Sequence, residues 1–279
     1  MISPRLVREC LSLYTFAVLR MKHPQTKTNV QGDNTMDIAG NTVIVVGGSS
    51  GMGFEVARAA LTKGAEVLIV GRSQKRLAQA SEALAGAEHV RTAAVDVTRE
   101  DEVSRFFERA GSFDHLFVSA ASNLTYQPIR ELDLEAARQT IDAKLVAALL
   151  LAKYAARRIN EHGSMTFTAG IAAERPLPTG YLVGAVNGAL FSLAYGLAIA
   201  LAPVRVNVLS PGWIDTPVWD TSALAANKPA MFAQMAQRLP AGRIGHPSDI
   251  GHAALFLMEN EFTTGIALPV DGGHRLISF

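Results

Sequence analysis

Residues Val45–Gly53 read VVGGSSGMG, an apolar strand end that runs directly into a glycine-rich turn. Glycines at such spacing permit a tight turn, close approach of the backbone to a pyrophosphate and tight packing of the following helix, whose N-terminus favours an anion. A glycine cluster alone also marks ordinary turns. Here a strand precedes it, an amphipathic helix follows and a second strand comes about twenty residues later, so the stretch predicts a nucleotide site. Its predicted binding residues are Gly47, Ser49, Ser50, Gly51, Met52 and Gly53.

Outward from this turn, short apolar runs alternate with amphipathic segments. The runs rich in Val, Ile and Phe predict seven buried strands: Thr42–Val46, Glu66–Val70, Val90–Val95, His115–Val118, Met165–Thr168, Val204–Leu209 and Ile266–Val270. The segments Gly53–Lys63, Gln74–Ala85 and Glu100–Ala110 are each followed by a glycine, as helix ends often are. This alternation predicts an α/β fold, a single Rossmann-type doubly wound domain with a seven-stranded parallel sheet flanked by helices.

Composition narrows the possible partners. The chain has 279 residues, of which 49% are hydrophobic and 18% charged, with a net charge of +1, so it buries a large core and is not expected to bind nucleic acid. One cysteine, Cys10, excludes an intramolecular disulfide and fits a cytoplasmic location. The seven histidines are scattered, and no metal site is expected.

Residues 1–36 differ from the rest of the chain. Basic residues flank an apolar run from Cys10 to Leu19, as in a targeting segment, but the run is short and no small-residue cleavage site follows. We expect residues 1–36 to be an N-terminal extension, either loosely held or an over-extended start with Met36 as the initiator. Residues 37–279 form the predicted nucleotide-binding domain.

An uncharged stretch from Pro176 to Val204 is long enough to span a membrane. It contains Asn187 and several glycines and runs through Pro203 into a predicted strand, so we expect a fully buried helix and no membrane contact. A helix that is apolar on nearly all sides needs cover that one sheet does not supply. We therefore expect a homodimer or homotetramer, formed through the helices that contain Lys144 and Tyr181.

The end of the second predicted strand indicates the cofactor. An acidic residue there would accept hydrogen bonds from the adenosine ribose hydroxyls, but the sequence has Arg72 followed by Ser73. A guanidinium and a hydroxyl suit a ribose 2′-phosphate, and the pair predicts NADP(H) rather than NAD(H). The alternative is a solvated arginine, although a cation at a helix start opposes the helix dipole.

These features together resemble the classical short-chain dehydrogenase/reductase family over residues 37–279. The family's TGxxxGxG loop matches Val46–Gly53, with Val46 in place of the threonine, and its C-terminal landmarks match Arg243–Ile250 and Val270–Gly273. The resemblance implies that Asp96 and Val97 meet the adenine. It also implies contacts to the nicotinamide end from Pro211, Gly212, Ile214 and Thr216.

The catalytic motifs of that family are altered. The NNAG motif is replaced by Ser119, Ala120, Ala121 and Ser122, whose first three residues are still expected beside the cofactor. The catalytic serine aligns with Ala169 or Gly170. Tyr181 lies in the YxxxK register but is followed four residues later by Ala185, and the family's helix asparagine aligns with Lys144.

A tyrosine with a pKa near 10 needs a neighbouring cation to exchange protons at neutral pH. Ala185 cannot supply one, so we expect the Lys144 ammonium to reach the space beside Tyr181, which makes Tyr181 and Lys144 the predicted catalytic residues. The alternative is a solvent-facing Lys144 that pairs with Asp142.

Three functional interpretations remain. The first is an NADP(H)-dependent oxidoreductase that acts on a small carbonyl, alcohol or activated imine or enone through an unusual proton transfer. The second is a protein that keeps NADP(H) as a structural or sensing ligand, and the third is a lyase, isomerase or cyclase on the same fold. In each, residues Trp213–Met235 are expected to cover an apolar small-molecule pocket.

Overall fold

Seven parallel strands form one sheet through the centre of the protein. The computed structural model describes residues 37–84, 89–119, 124–220 and 225–277. The strands are β1 Thr42–Val46, β2 Glu66–Gly71, β3 Val90–Ala94, β4 Phe113–Val118, β5 Ile159–Thr168, β6 Arg205–Pro211 and β7 Ala267–Val270. Their order is β3-β2-β1-β4-β5-β6-β7, which confirms the predicted doubly wound α/β fold.

Helices cover both faces of the sheet. They are α1 Gly51–Thr62, α2 Gln74–Ala83, α3 Glu100–Ala110, α4 Leu134–Ile141, α5 Ala147–Ala155, α6 Tyr181–Ala200, α7 Lys228–Arg238 and α8 Pro247–Glu259. A π-helical turn, Asp142–Val146, joins α4 to α5 without a break. Apolar residues of α1, α2 and α8 pack on one face, and those of α3, α5 and α6 pack on the other.

Strand β1 shows why the central strands are continuous apolar runs. Val43 and Val45 belong to the core on one face of the sheet, whereas Ile44 and Val46 belong to the core on the other. Successive side chains of a strand point to opposite faces, so a strand covered on both sides needs apolar residues at every position. Strand β1 pairs with β2 on one side and with β4 on the other, so the order of the strands reverses at β1. A cleft forms at the carboxyl ends of the strands where this reversal occurs.

Two predicted elements differ from the structure. Strand β5 begins at Ile159, six residues before the predicted start, because the polar and exposed residues Asn160, Glu161 and His162 carry no apolar pattern. Helix α6 was expected to be fully buried, but only a third of its most apolar window is covered within this chain. By length and composition alone it would suit a membrane span. The predicted helix end at Gly86, like residues 1–36, lies outside the described residues.

The turn after β1 depends on a close backbone approach. A Cβ atom at Gly53 would lie 2.3 Å from the Gly47 carbonyl oxygen, closer than any real contact of that kind. Gly47 itself has a φ of 83°, in the left-handed region, and donates its N–H to the Val70 carbonyl at 2.7 Å. Glycine at both positions therefore holds α1 tightly against the end of β1.

We expect Gly53→Ala to lower the free energy of unfolding by about 1–3 kcal/mol, because the added methyl group must push the turn away from α1. Chemical denaturation of the two proteins measures the difference. Unchanged stability would show that the turn adjusts without cost.

Candidate active site

A cleft of about 940 Å³ opens at the carboxyl ends of the strands. Most of the residues predicted from the sequence to form the site line it: Gly47, Ser49, Ser50, Gly51, Met52, Arg72, Ser73, Asp96, Val97, Ser119, Lys144, Pro211, Gly212, Ile214 and Thr216. Two predicted residues, Gly53 and Tyr181, are not among the residues that line it. Ala120 and Ala121 lie outside the described residues.

The glycine-rich turn leaves the start of α1 open toward the cleft. Ser50 occupies the N-cap in an extended conformation, and no side-chain cap bond is found there among the described residues. The first N–H groups of a helix lack partners within the helix, so this end is suited to an anion such as a pyrophosphate. Gly53 contributes by its packing against Gly47 rather than by contact with a ligand.

The end of the cleft at β2 and β3 combines cations with one carboxylate. Arg72 and Arg76 are exposed, and the Ser73 hydroxyl accepts the Arg76 N–H at 3.3 Å. Burial by itself raises the pKa of Asp96. Its hydrogen bonds from Thr98, at 3.0 and 2.7 Å, and the nearby arginine charges outweigh that effect and hold the pKa below its usual value. Asp96 is therefore an ionised acceptor beside Arg72.

Lys144 lies in the π-helical turn and points into the cleft. Its side chain is buried, and its Nζ donates to the Ala169 carbonyl at 3.2 Å, at the end of β5. Burial lowers the pKa of Lys144 to about 8. Lys144 is therefore neither solvent-facing nor, within the described part of the chain, paired with Asp142, so the solvent-facing alternative is wrong. π-Helical turns often occur at functional sites because they change the direction of a side chain.

The residues of α6 that line the cleft are not Tyr181 and Ala185, the pair expected from the sequence. Tyr181 is the first residue of the helix, its hydroxyl is buried without a hydrogen-bond partner among the described residues, and Ala185 is exposed. Val183 and Asn187, also four residues apart, line the cleft. Two positions along a helix correspond to a rotation of about 200°, so Tyr181 and Val183 lie on nearly opposite faces of α6, and the face of Val183 is the one at the cleft. Val183 and Asn187, rather than Tyr181 and Ala185, are thus the pair of α6 residues at the cleft.

Asn187 is a site residue that the sequence reading missed. It is buried, and its Oδ1 atom lacks a hydrogen-bond partner in the described ranges, as does the Oγ1 atom of Thr168 nearby on β5. A Cβ at Gly170 would lie 3.1 Å from the Asn187 Nδ2 atom, so the missing serine side chain leaves room for this amide. Buried unpaired acceptors are costly without a partner, and ribose hydroxyls are suitable donors. Together with the turn and Arg72, these atoms fit a nicotinamide dinucleotide.

Aromatic side chains form one wall at the substrate end. Trp213 and Trp219 stack with ring centroids 5.0 Å apart, and Phe232 meets Trp219 edge-on at 5.4 Å. The Trp219 indole N–H donates to the Ile214 carbonyl at 2.9 Å, which fixes its ring. Both tryptophans line the cleft, in the segment Trp213–Met235 that the sequence predicts as a cover, of which residues 221–224 lie outside the described residues.

Arg175 and His274 also line the cleft, and no motif in the sequence indicated them. The Arg175 Nε and Nη2 atoms donate to the Arg275 carbonyl at 3.0 and 2.7 Å, which joins the loop before α6 to the C-terminal segment. Among the described residues, no group of three or more His, Cys, Asp or Glu side chains is placed to hold a metal ion.

The sheet order, the glycine turn and the open start of α1 define a dinucleotide-binding protein of the doubly wound α/β class. A family model described as "Enoyl-(Acyl carrier protein) reductase" matches residues 46–275. The chain is 30% identical to the short-chain dehydrogenase/reductase fsr5 of Gibberella fujikuroi, over 88% of this chain and 98% of the relative. The chain therefore belongs to the short-chain dehydrogenase/reductase family of nicotinamide-dependent oxidoreductases, as its motifs indicated.

Solved structures agree with this assignment. The MalC Reductase/Diels-Alderase from Malbranchea aurantiaca is similar with a TM-score of 0.81 and 27% identity, over 88% of this chain and 99% of that one. A small-chain dehydrogenase in complex with NADPH is similar with a TM-score of 0.72 and 32% identity, over 85% of this chain and 100% of that one.

The buried Lys144 ammonium is expected to cost stability. A pKa lowered from 10.5 to about 8 corresponds to a penalty of about 3 kcal/mol at pH 7. Between pH 8 and 10.5 the folded protein has lost this proton while the unfolded chain still holds it, so the free energy of unfolding rises with pH in that range. Below pH 8 both states hold the proton, and this group gives the free energy of unfolding no dependence on pH. We expect Lys144→Met to raise the free energy of unfolding by about 1–2 kcal/mol at pH 7, less at pH 9.5.

Urea unfolding at both pH values measures this, with the exposed Lys153→Met as the control, for which no pH-dependent gain is expected. A Lys144→Met protein that is less stable than the parent at pH 7 would contradict a buried charge at this position.

Proposed function

We propose that this protein is an NADPH-dependent reductase of small carbonyl, imine or enone compounds in which Lys144 supplies the proton. The observation that carries the proposal is the buried Lys144 ammonium, bonded to the Ala169 carbonyl at the cleft. We infer that Ala169 or Gly170 takes the place of the family's serine and Val183 that of its tyrosine, and none of these side chains has an acidic proton to give.

The preference for NADP(H) is supported by the end of β2. Arg72 and Arg76 are exposed at the cleft, and the Asp96 carboxylate follows β3 rather than β2, the place where NAD(H) enzymes of this fold bind the ribose hydroxyls. A guanidinium presents a fork of donors to a phosphate. The similar structure in complex with NADPH supports the same choice.

When bound, NADPH supplies a hydride, and the residues of this chain provide position and the proton. Asn187 offers its buried Oδ1 as an acceptor for a hydroxyl of the nicotinamide ribose. Lys144 holds its ammonium against the end of β5, where a substrate oxygen or nitrogen takes a proton as its double bond is reduced. A pKa of about 8 suits this task, because the group is protonated at neutral pH and yet releases its proton readily. The stacked Trp213 and Trp219 exclude water from one side.

If Lys144 acts as the acid, kcat/KM is level below pH 8 and falls about tenfold per pH unit above it, because only the ammonium form donates. We expect Lys144→Met to lower kcat by at least about a hundredfold without weakening NADPH binding. The measurements are NADPH oxidation against ketones, cyclic imines and enones, and calorimetric titration of NADPH. Lys153→Met on α5 is the matched control and is expected to keep wild-type turnover. Full turnover by Lys144→Met would refute the assigned role.

We expect Arg72→Met to weaken NADPH binding by about ten- to a hundredfold, because a charge-assisted bond to the 2′-phosphate is lost. NADH affinity should hardly change, since NADH has no phosphate at that position. Parallel calorimetric titrations with the two cofactors give the ratio of dissociation constants. An equal loss for NADPH and NADH would show that Arg72 does not read the 2′-phosphate.

A second candidate function is a cyclisation in the same cleft. The named activity of the MalC protein includes that of a Diels-Alderase, and the aromatic wall of Trp213 and Trp219 offers a surface on which a planar reactant can fold. Product formation without NADPH consumption would favour this function. Tight NADPH binding without any turnover would instead favour a structural or sensing role for the cofactor.

We also propose that a second copy of the chain covers the exposed apolar side of α5 and α6. Leu149, Tyr195 and Ile199 have 45%, 44% and 81% of their surface exposed in the single chain. Exposed apolar patches of this kind mark interaction sites, and a homodimer or homotetramer through these helices would bury them. A cytoplasmic location is part of the same proposal and is supported by the single cysteine.

A further inference from the structure

We propose that the substrate carries a carboxylate and that Arg175, on the loop between β5 and α6, binds it. This inference rests on the proposed reductase function and names the class of compound that the cleft accepts: a small, planar, apolar carbonyl, imine or enone compound with an acid group. It is carried by the distribution of charge in the cleft, by the geometry of the Arg175 guanidinium and by the aromatic wall.

Charges divide the cleft into two halves. The described residues that line it include five with a formal charge at neutral pH: Arg72, Arg76, Asp96, Lys144 and Arg175. The one carboxylate among them, Asp96, follows β3 and lies beside Arg72 at the adenosine end. The half that receives the nicotinamide and the substrate is thus lined by two cations and, within the described ranges, by no anion.

The guanidinium of Arg175 is fixed by hydrogen bonds that occupy only some of its donors. Two of its nitrogen atoms, Nε and Nη2, donate to the single carbonyl oxygen of Arg275. This pair of bonds fixes the plane of the group, and Nη1 has no hydrogen-bond partner among the described residues. The side chain is half-buried at the cleft, so its remaining N–H groups are directed donors in a partly dry site. A carboxylate is the natural partner for such a group.

Among the described residues, the neighbouring ionisable groups leave the positive charge of Arg175 uncompensated. Burial lowers the pKa of His274, and the charges of Arg175 and Arg238 reinforce that effect against the opposing pull of Asp271. The imidazole is therefore neutral. Asp271 is already engaged, since its oxygens accept from the backbone N–H groups of Gly273 and Arg275 and from the Arg275 guanidinium. An anionic group on the substrate would supply the missing charge.

The loop between β5 and α6 contacts Lys144 and carries Arg175. Lys144 binds the carbonyl of Ala169 at the start of the loop, and Arg175 closes a turn by donating its backbone N–H to the Ile171 carbonyl at 2.8 Å. Both side chains line the same cleft, so the proposal places the acid group of the substrate at Arg175 and the group that takes the proton at Lys144. Trp213 and Trp219 provide a flat apolar surface for the part between them.

Matched substrates test the inference. We would compare 3-oxocyclohex-1-ene-1-carboxylate with its methyl ester and measure kcat/KM for each in the presence of NADPH. The wild-type protein is expected to prefer the acid at least about tenfold, and Arg175→Met to abolish that preference, mainly through KM for the acid. The ratio of the two constants within one preparation does not depend on the fraction of folded protein, so a loss of stability cannot imitate the result.

Arg91→Met is the matched control, since Arg91 is exposed on β3 and is not among the residues that line the cleft. This variant removes the same charge and should keep the acid preference, whereas Arg175→Lys should keep part of it. A wild-type protein that reduces the ester as well as the acid, or an acid preference that survives in Arg175→Met, would overturn the inference.

A binding measurement separates this inference from the proposed reductase function. Benzoate and its neutral analogue benzamide are titrated by calorimetry into the protein loaded with NADPH, and Arg175-dependent preference for benzoate is expected. If neither enone is reduced but benzoate binds in this way, the reductase proposal fails and the anion site stands. If the ester is reduced and benzoate binds no better than benzamide, the anion site fails and the reductase proposal stands.

Discussion

The hydrogen bond from the Lys144 ammonium to the Ala169 carbonyl joins the helix beside the cleft to the loop after β5. Burial of a cation costs free energy. The surrounding structure therefore has to supply an oxygen acceptor in place of the water that it excludes. The π-helical turn Asp142–Val146 turns the side chain inward, and Gly170 leaves the space beside the loop open. The chemistry proposed for the cleft depends on this arrangement, because it assigns the proton to Lys144.

In the proposed function the cleft has a cofactor end, which binds the dinucleotide, and a reactive end, which binds the substrate. At the first end, the glycine turn, the open N-terminus of α1 and Arg72 all favour bound phosphate, and each acts through the backbone or a formal charge. At the second, Val183 and Asn187 of α6 face the cleft, while Lys144 and Arg175 bring cations to it from the π-helical turn and from the loop before α6. Positive charge at this end of the cleft therefore comes from the π-helical turn and the loop before α6, not from the residues of α6 that line it.

Much of this architecture could be predicted from local sequence. The apolar runs located all seven strands, because a parallel sheet covered on both faces requires apolar residues at successive positions, as in β1. The first part of β5 was missed because Asn160, Glu161 and His162 are exposed and polar. Arg175 and His274 carried no signal either, since they are 99 residues apart and meet the cleft only through the folded chain.

The sequence by itself determined the fold class, the glycine turn and the nucleotide site, because these depend on backbone geometry and on the periodicity of neighbouring residues. Only the tertiary structure decided which face of α6 meets the cleft. Tyr181 and Val183 are two residues apart, and the apolar surround of this helix left no periodic signal to distinguish their faces. The packing of the helix against β6 and the loop after β5 makes that choice, and with it places Asn187 rather than Tyr181 at the site.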